Sequence, residues 1–204
     1  MTIARTLATV TFLALTVPLP CLAEQTAHTL RDMPAGLYKS DNQHTHIYFT
    51  YDHVGFSRAH GRFDKFDGQL NFDPQKIEHG TASFTIDASS IDMNVPELEQ
   101  LLKSAKFFDA ADMGQITFKS TALKLTSNNK GVLEGALTMH GVTRPVTLGV
   151  TLNKFLVDDE LKFCRFGFTV TGTLKRSQWG LGAVPLVGDD VVLDIDTEFV
   201  KSVN

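Results

Sequence analysis

Apolar and polar residues alternate with a period of two over most of the stretch from Gly36 to Phe199. That period puts successive side chains on opposite faces of a strand, so it commits the chain to all-β structure with one dry face. Ile47, Phe49, Tyr51 and His53 make one such row. Phe63, Phe66, Gly68, Leu70 and Phe72 make a second, and the three-residue step after Phe63 predicts a bulge. Further rows are Ala82 to Ile86, Ile116 and Phe118 leading toward Leu125, Leu133 to Met139, Val146 to Leu152, Phe166 to Leu174, and Val191 to Phe199. Asn128-Asn129-Lys130-Gly131, His140 to Arg144 and Asp158-Asp159-Glu160 are the turns between them. Short turns pair neighbours antiparallel, and about eight strands can close into a barrel just wide enough for a small ligand. Closure also removes the open edges that invite aggregation. The exception is Val95 to Ala111. There Leu98, Leu101, Leu102 and Ala105 recur at helical spacing behind Pro96, which predicts one short helix over a barrel opening or the outer wall.

The N-terminus does not belong to this pattern. Arg5, the uncharged apolar run Leu7 to Val17, the breakers Pro18 and Pro20, and Cys21-Leu22-Ala23 read as a secretory signal peptide, residues 1–23, cleaved after Ala23. The run is too short for a membrane span, which takes roughly 20 apolar residues. Residues 24–35 are polar and unpatterned, a flexible lead-in, and residues 36–204 read as one domain without repeats or linkers. Losing Arg5 lowers Lys plus Arg from 19 to 18 against 23 Asp plus Glu, for a mature net charge of −5. A mildly acidic chain without a basic stripe argues against nucleic-acid partners and against docking on anionic lipid. Cys21 leaves with the signal, so Cys164 cannot form an intrachain disulfide and the core must hold the exported fold.

The chain carries 15 Phe but only 3 Tyr and 1 Trp. Phe has no polar handle and seeks only a dry environment. The inward rows offer Phe49, Tyr51, His53, Phe63, Phe66, Phe84, Ile86, Phe118, Leu137, Phe166, Phe168 and Val170 as candidate pocket wall. Such residues either fill a barrel or line a slot for an alkyl or isoprenoid chain, and alternation alone does not separate the two.

Groups that carry chemistry are scarce. His44 and His46 share a strand parity, with His53 and His60 further on, but no Cys or carboxylate at fixed spacing completes a metal site. No Gly-x-Ser-x-Gly elbow is present, and Gly180-Leu181-Gly182 lacks the third glycine of a dinucleotide site. No cofactor and no catalytic residue is expected. Arg176 and Trp179 follow an apolar strand, where the guanidinium can meet the head group of an amphiphile or form a surface salt bridge.

Several strings in order resemble the YceI-like family of bacterial periplasmic, lipocalin-like proteins. They include His44-Thr45-His46-Ile47-Tyr48-Phe49, His53-Val54-Gly55-Phe56-Ser57, Gly61-Arg62-Phe63-Asp64-Lys65-Phe66-Asp67-Gly68, Leu102 to Asp109, Gly135 to Val146, and Lys175-Arg176-Ser177-Gln178-Trp179-Gly180. The resemblance implies an extended eight-stranded antiparallel barrel with a long pocket, residence in the periplasm, and a homodimer. It also implies binding of an isoprenoid or fatty-acyl amphiphile. The chain departs from the family pattern at Gln178, at Trp179, at Met113-Gly114, and at Glu97 to Leu101, where a histidine is usual.

Overall fold

A computed structural model describes residues 29–158, 162–181, 184 and 187–202 of the chain. The signal peptide with its cleavage site and the turn residues Asp159 and Glu160 lie outside the described residues. The elements are β1 (Gly36–Ser40), β2 (His46–His53), β3 (Ser57–Phe63), β4 (Phe66–Phe72), β5 (Thr81–Asp87), β6 (Ile91–Asp92), α1 (Pro96–Lys103), β7 (Gln115–Leu125), β8 (Lys130–Met139), β9 (Val142–Asp158), β10 (Phe163–Lys175) and β11 (Val187–Ser202).

These strands make eight arms, because three arms are interrupted. β1 and β2 run end to end along β11, with Ser40 opposite Phe199 and His46 opposite Asp196. β4 and β3 continue along them, with Gln69 opposite Lys39 and Phe63 opposite Ile47. β5 and β6 lie next, with Ile86 opposite Phe66 and Ile91 opposite Phe63. β7 to β11 then follow in chain order, every pairing is antiparallel, and β11 closes the sheet onto the first arm. The result is the expected all-β, closed, eight-stranded barrel with one helix.

The interruptions are held by side chains that replace ladder bonds, as buried backbone groups require. Between β1 and β2, Ser40 Oγ accepts from Gly68 N–H at 2.9 Å, and Thr45 Oγ1 accepts from Glu198 N–H at 3.2 Å. The step after Phe63 is the break between β3 and β4. There Asp64 N–H bonds Ser90 O at 3.2 Å and Lys65 N–H bonds Ser90 Oγ at 3.0 Å. Ser57 to Arg62 therefore belong to a strand of their own, which the small inward residues Ala59 and Gly61 hide from a hydrophobicity count.

Two bulges change which parity faces inward. In β7 the register slips between Ser120 and Ala122, so the inner row passes from Ile116 and Phe118 to Leu123 and Leu125. In β9 Asn153 is the extra residue opposite Gly167 and Phe168, and the row passes from Leu152 to Phe155. One extra residue flips every later side chain to the other face. The β8–β9 hairpin turns on two residues only, His140 at φ 49° and Gly141 at φ 69°, the left-handed pair that a type I′ turn demands.

The helix is shorter than its periodicity suggests. It ends at Lys103, where Ser104 Oγ donates back to Leu101 O at 2.6 Å. Phe107 and Phe108 both face the barrel interior, and adjacent residues of a helix cannot share one face. The lead-in is folded from Thr29 onward. Leu30–Asp32 form a 3-10 turn capped by Thr29 and Asp32, Met33 is buried, and Tyr38 donates its hydroxyl to Pro34 O at 2.6 Å.

Candidate ligand-binding site

The inner rows enclose a cavity of about 1290 Å³. Close-packed interiors hold few voids larger than a water molecule, and drug-sized pockets run to roughly 300–1,000 Å³. The barrel is therefore hollow. Its wall explains how. A Cβ on Gly61 would lie 2.4 Å from the Phe49 ring, one on Gly68 2.6 Å from Phe84, and one on Gly135 2.3 Å from Phe118. Each glycine sits on a strand next to its aromatic partner. The ring leans sideways over the neighbouring glycine rather than toward the barrel axis. Leu148 does the same over Gly172, at 2.5 Å. Side chains laid flat cover the wall and leave the lumen empty.

The cavity runs along the barrel. At one end the β7–β8 loop, Thr126 to Lys130, and the turn Thr29 to Arg31 contribute exposed polar residues. At the other end α1 contributes Leu98, Leu101 and Leu102, followed by Phe107 and Phe108. The wall between is apolar.

Phe49, Tyr51, Phe63, Phe84, Ile86, Phe118, Leu137, Phe166, Phe168 and Val170 all line the cavity, as their parity predicts. Phe66 does not; it is half-buried and packs against the main core cluster. His53 does not either. It is exposed at the last position of β2, beyond the reach of the lumen, because the strand outruns the cavity there. Two groups of lining residues were left unclaimed by the sequence for a physical reason. Leu123, Leu125 and Phe155 follow a bulge, and Phe107, Phe108, Leu181 and Val184 come from irregular segments with no period to read.

Trp179 is fully buried outside the lumen, and its indole N–H donates to Leu137 O at 3.2 Å. It fastens the Arg176–Trp179 turn to β8 and touches no lumen, which corrects its placement at a head-group site. His140 Nδ1 adds a 3.1 Å contact to Trp179 O. The other departures from the family pattern gather on the outside of this same end. Gln178 O accepts from Arg144 Nε at 3.3 Å, Met113 is exposed beside Gly141, and Glu99 Oε1 accepts from Met93 N–H at 3.1 Å.

Arg176 does line the cavity, but among the described residues no carboxylate forms a salt bridge with it. Its guanidinium donates to four backbone carbonyls: Nε to Gly188 O at 2.9 Å, Nη2 to Val184 O at 2.9 Å and to Val187 O at 2.8 Å, and Nη1 to Leu181 O. It thereby gathers the connection from β10 to β11. Tyr51 lies on the neighbouring strand, opposite Val191. Burial pushes its phenol above the ordinary value, offset in part by the Arg176 charge, so the hydroxyl stays a protonated donor.

The histidines do not converge. His44 Nδ1 lies 2.9 Å from Asp41 Oδ2, in a group with Glu198, whereas His46 is exposed and stacks on Tyr48. Arg165 bridges the carboxylates of Glu198 and Asp41, so a cation of the chain already sits between them. Burial would raise the Asp41 carboxyl, but the His44 and Gln43 hydrogen bonds and the charges of His44 and Arg165 hold it below its ordinary value. Cys164 is buried. Among the described residues, no helix is long and apolar enough to cross a membrane.

Known proteins share this fold. The fold is similar to that of Burkholderia cenocepacia BcnA, at TM-score 0.68 and 27% identity over 80% of this chain and 99% of that one. It is also similar in fold to a polyisoprenoid binding domain from Saccharophagus degradans, at TM-score 0.62 and 13% identity over 81% and 98%. In sequence the chain is 35% identical over 169 residues to a UPF0312 protein of Pseudomonas putida strain GB-1, covering 82% of this chain and 88% of that protein. The YceI-like domain itself matches residues 38–199, from the first strand to the last, so the hollow barrel and the ordered strings have one explanation: the chain belongs to the YceI-like family.

Proposed function

We propose that the protein is a periplasmic carrier or sequestering protein for an elongated amphipathic lipid, of isoprenoid or fatty-acyl type, acting as a homodimer and performing no chemistry on its cargo. The observation that carries this reading is the apolar cavity of about 1290 Å³ along the barrel. Burying an alkyl chain there gains roughly 25 cal/mol for each Å² of apolar surface removed from water. Among the described residues, the lining contains no Asp, Glu, His or Cys, which supports holding a cargo over reacting with it. The polyisoprenoid binding described for the Saccharophagus degradans domain supports the same reading. The reading of residues 1–23 as a secretory signal supports the location.

Native mass spectrometry of protein purified from the periplasmic fraction tests it, with lipid analysis of a solvent extract. Bound prenyl or fatty-acyl lipid at about one per barrel is expected. If solvent-stripped protein takes up neither class, the proposal fails. Recovery only from the cytosol would refute the location, and a monomer on size-exclusion chromatography would refute the dimer.

A further inference from the structure

Among the described residues, Arg176 is the one cation that lines the cavity away from its exposed polar end; Arg31 and Lys130, the other two, are solvent-exposed at that end. A guanidinium carries five N–H donors. Four of those on Arg176 are taken by carbonyls, and among the described residues nothing takes the fifth, on Nη1. No carboxylate among the described residues pairs with it. Asp189, whose carboxylate feels its charge, is instead held by Ser177 N–H and Oγ, both at 2.8 Å. A part-buried cation solvated by carbonyl dipoles alone still gains from an anion brought beside it.

The Tyr51 hydroxyl is the second feature. It has no hydrogen-bond partner among the described residues, although Tyr51 lines the cavity. β11 brings the two groups together. Tyr51 stands opposite Val191, and Arg176 grips the carbonyls of Val187 and Gly188 just before it. Arg176, with one N–H to spare and a net positive charge, and Tyr51, with its phenolic O–H, therefore line the same end of the lumen. Leu174 and Leu181 supply apolar surface around them.

That inventory selects a head group. A carboxylate has a single charge and two oxygens, which two donors and one cation match. A phosphate ester carries about −1.5 to −2 charges and three acceptor oxygens at neutral pH, and a diphosphate carries more. Two donors leave most of those oxygens desolvated and unpaired. We infer that the α1 end of the cavity is a carboxylate subsite formed by Arg176 and Tyr51, and that the cargo is a long-chain fatty acid entering head first. This rests on the lipid-carrier reading above and narrows it.

The test is displacement of a neutral fluorescent probe, N-phenyl-1-naphthylamine, from delipidated mature protein at pH 8 by oleate, methyl oleate and geranylgeranyl diphosphate. Oleate is expected to bind about tenfold more tightly than either of the others, the worth of one charge-assisted hydrogen bond. Tyr51→Phe should weaken oleate about threefold or more. A control variant, Lys119→Ala on the exposed outer face of β7 and outside the lining, should leave oleate unaffected. Equal binding of oleate and its methyl ester, tighter binding of the diphosphate, or an oleate preference that survives Tyr51→Phe intact would each overturn the inference while leaving the apolar carrier standing. If no compound displaces the probe, the carrier reading falls and the subsite with it. Arg176→Gln risks unfolding the connection it gathers, so Tyr51→Phe is the deciding variant.

Discussion

Gly135 shows how much a single missing side chain controls. Its would-be Cβ meets the Phe118 ring at 2.3 Å and the Lys119 carbonyl at 2.7 Å. Gly135→Val is therefore expected to push the ring into the lumen and to cost about 1–3 kcal/mol by overpacking. Equilibrium urea unfolding reads the cost, and the same sample should take up less lipid. Trp179 is the opposite case, a large side chain with a polar atom to satisfy. Trp179→Phe keeps most of the packing but leaves the Leu137 carbonyl without the indole N–H, a loss of about 1–3 kcal/mol in urea unfolding. Alternation identified Phe118 and Leu137 as wall residues. It had no access to Trp179, whose role depends on a contact 42 residues away in the chain. The same holds for Arg176, since its carbonyl partners are set by how the connection folds back.

The interrupted arms depend on aspartates. Asp41 sits in the break between β1 and β2, Asp87 accepts from Ser89 N–H and Oγ at the break between β5 and β6, and Asp189 holds Ser177 at the Arg176–Trp179 turn. All three carboxyls lie below the ordinary value of 3.8. For Asp87 the Ser89 hydroxyl is the main cause, and for Asp189 the Ser177 backbone N–H. A carboxyl lowered by folding stabilises the native state fully above its unfolded value, and that share is lost as pH falls through the folded value. The thermal midpoint should hold between pH 7 and pH 5 and drop below about pH 4. Asp87→Asn should flatten part of that drop; an unchanged acid limb in this variant would count against the assignment. Bulges made these elements hard to read. Thr121 and Asn153 each add one residue to a regular strand, and an observer counting by twos then assigns Leu123 and Phe155 to the wrong face.

A hollow barrel forgoes the packing that a filled one enjoys, so occupancy and stability are coupled. Ligand at about 100 times its dissociation constant adds about 2.7 kcal/mol to the folded state. Solvent-stripped protein should therefore melt at a lower temperature than protein as purified, and refilling with oleate should restore the midpoint. Differential scanning calorimetry measures both. Leu193→Trp, placed on the lumen face of β11, should occupy the cavity, abolish probe uptake and keep the fold. Alkali tests the other end. Burial, followed by the charge of Cys164, drives the Tyr38 phenol above its ordinary value of 10.0. A raised acid resists ionising only in the folded state, so stability is whole below pH 10 and falls as pH climbs beyond it. Tyr38→Phe should shift that alkaline limb upward in circular-dichroism melts.

The period-two pattern alone was enough to set β structure, antiparallel neighbours and the inward parity of residues such as Phe49, Phe84, Leu148 and Phe199, because a strand's side-chain period is a local property of the backbone. Whether those side chains filled the barrel or lined it was not local. It turned on rings leaning across to glycines on other strands, Phe49 over Gly61 and Phe118 over Gly135, and cross-strand neighbours exist only once the register is formed. The α1 end of the lumen was likewise a product of assembly. Arg176 and Tyr51 stand 125 positions apart in the chain, and only the pairing of β2 with β11 brings a phenol and a nearly spent guanidinium to one wall.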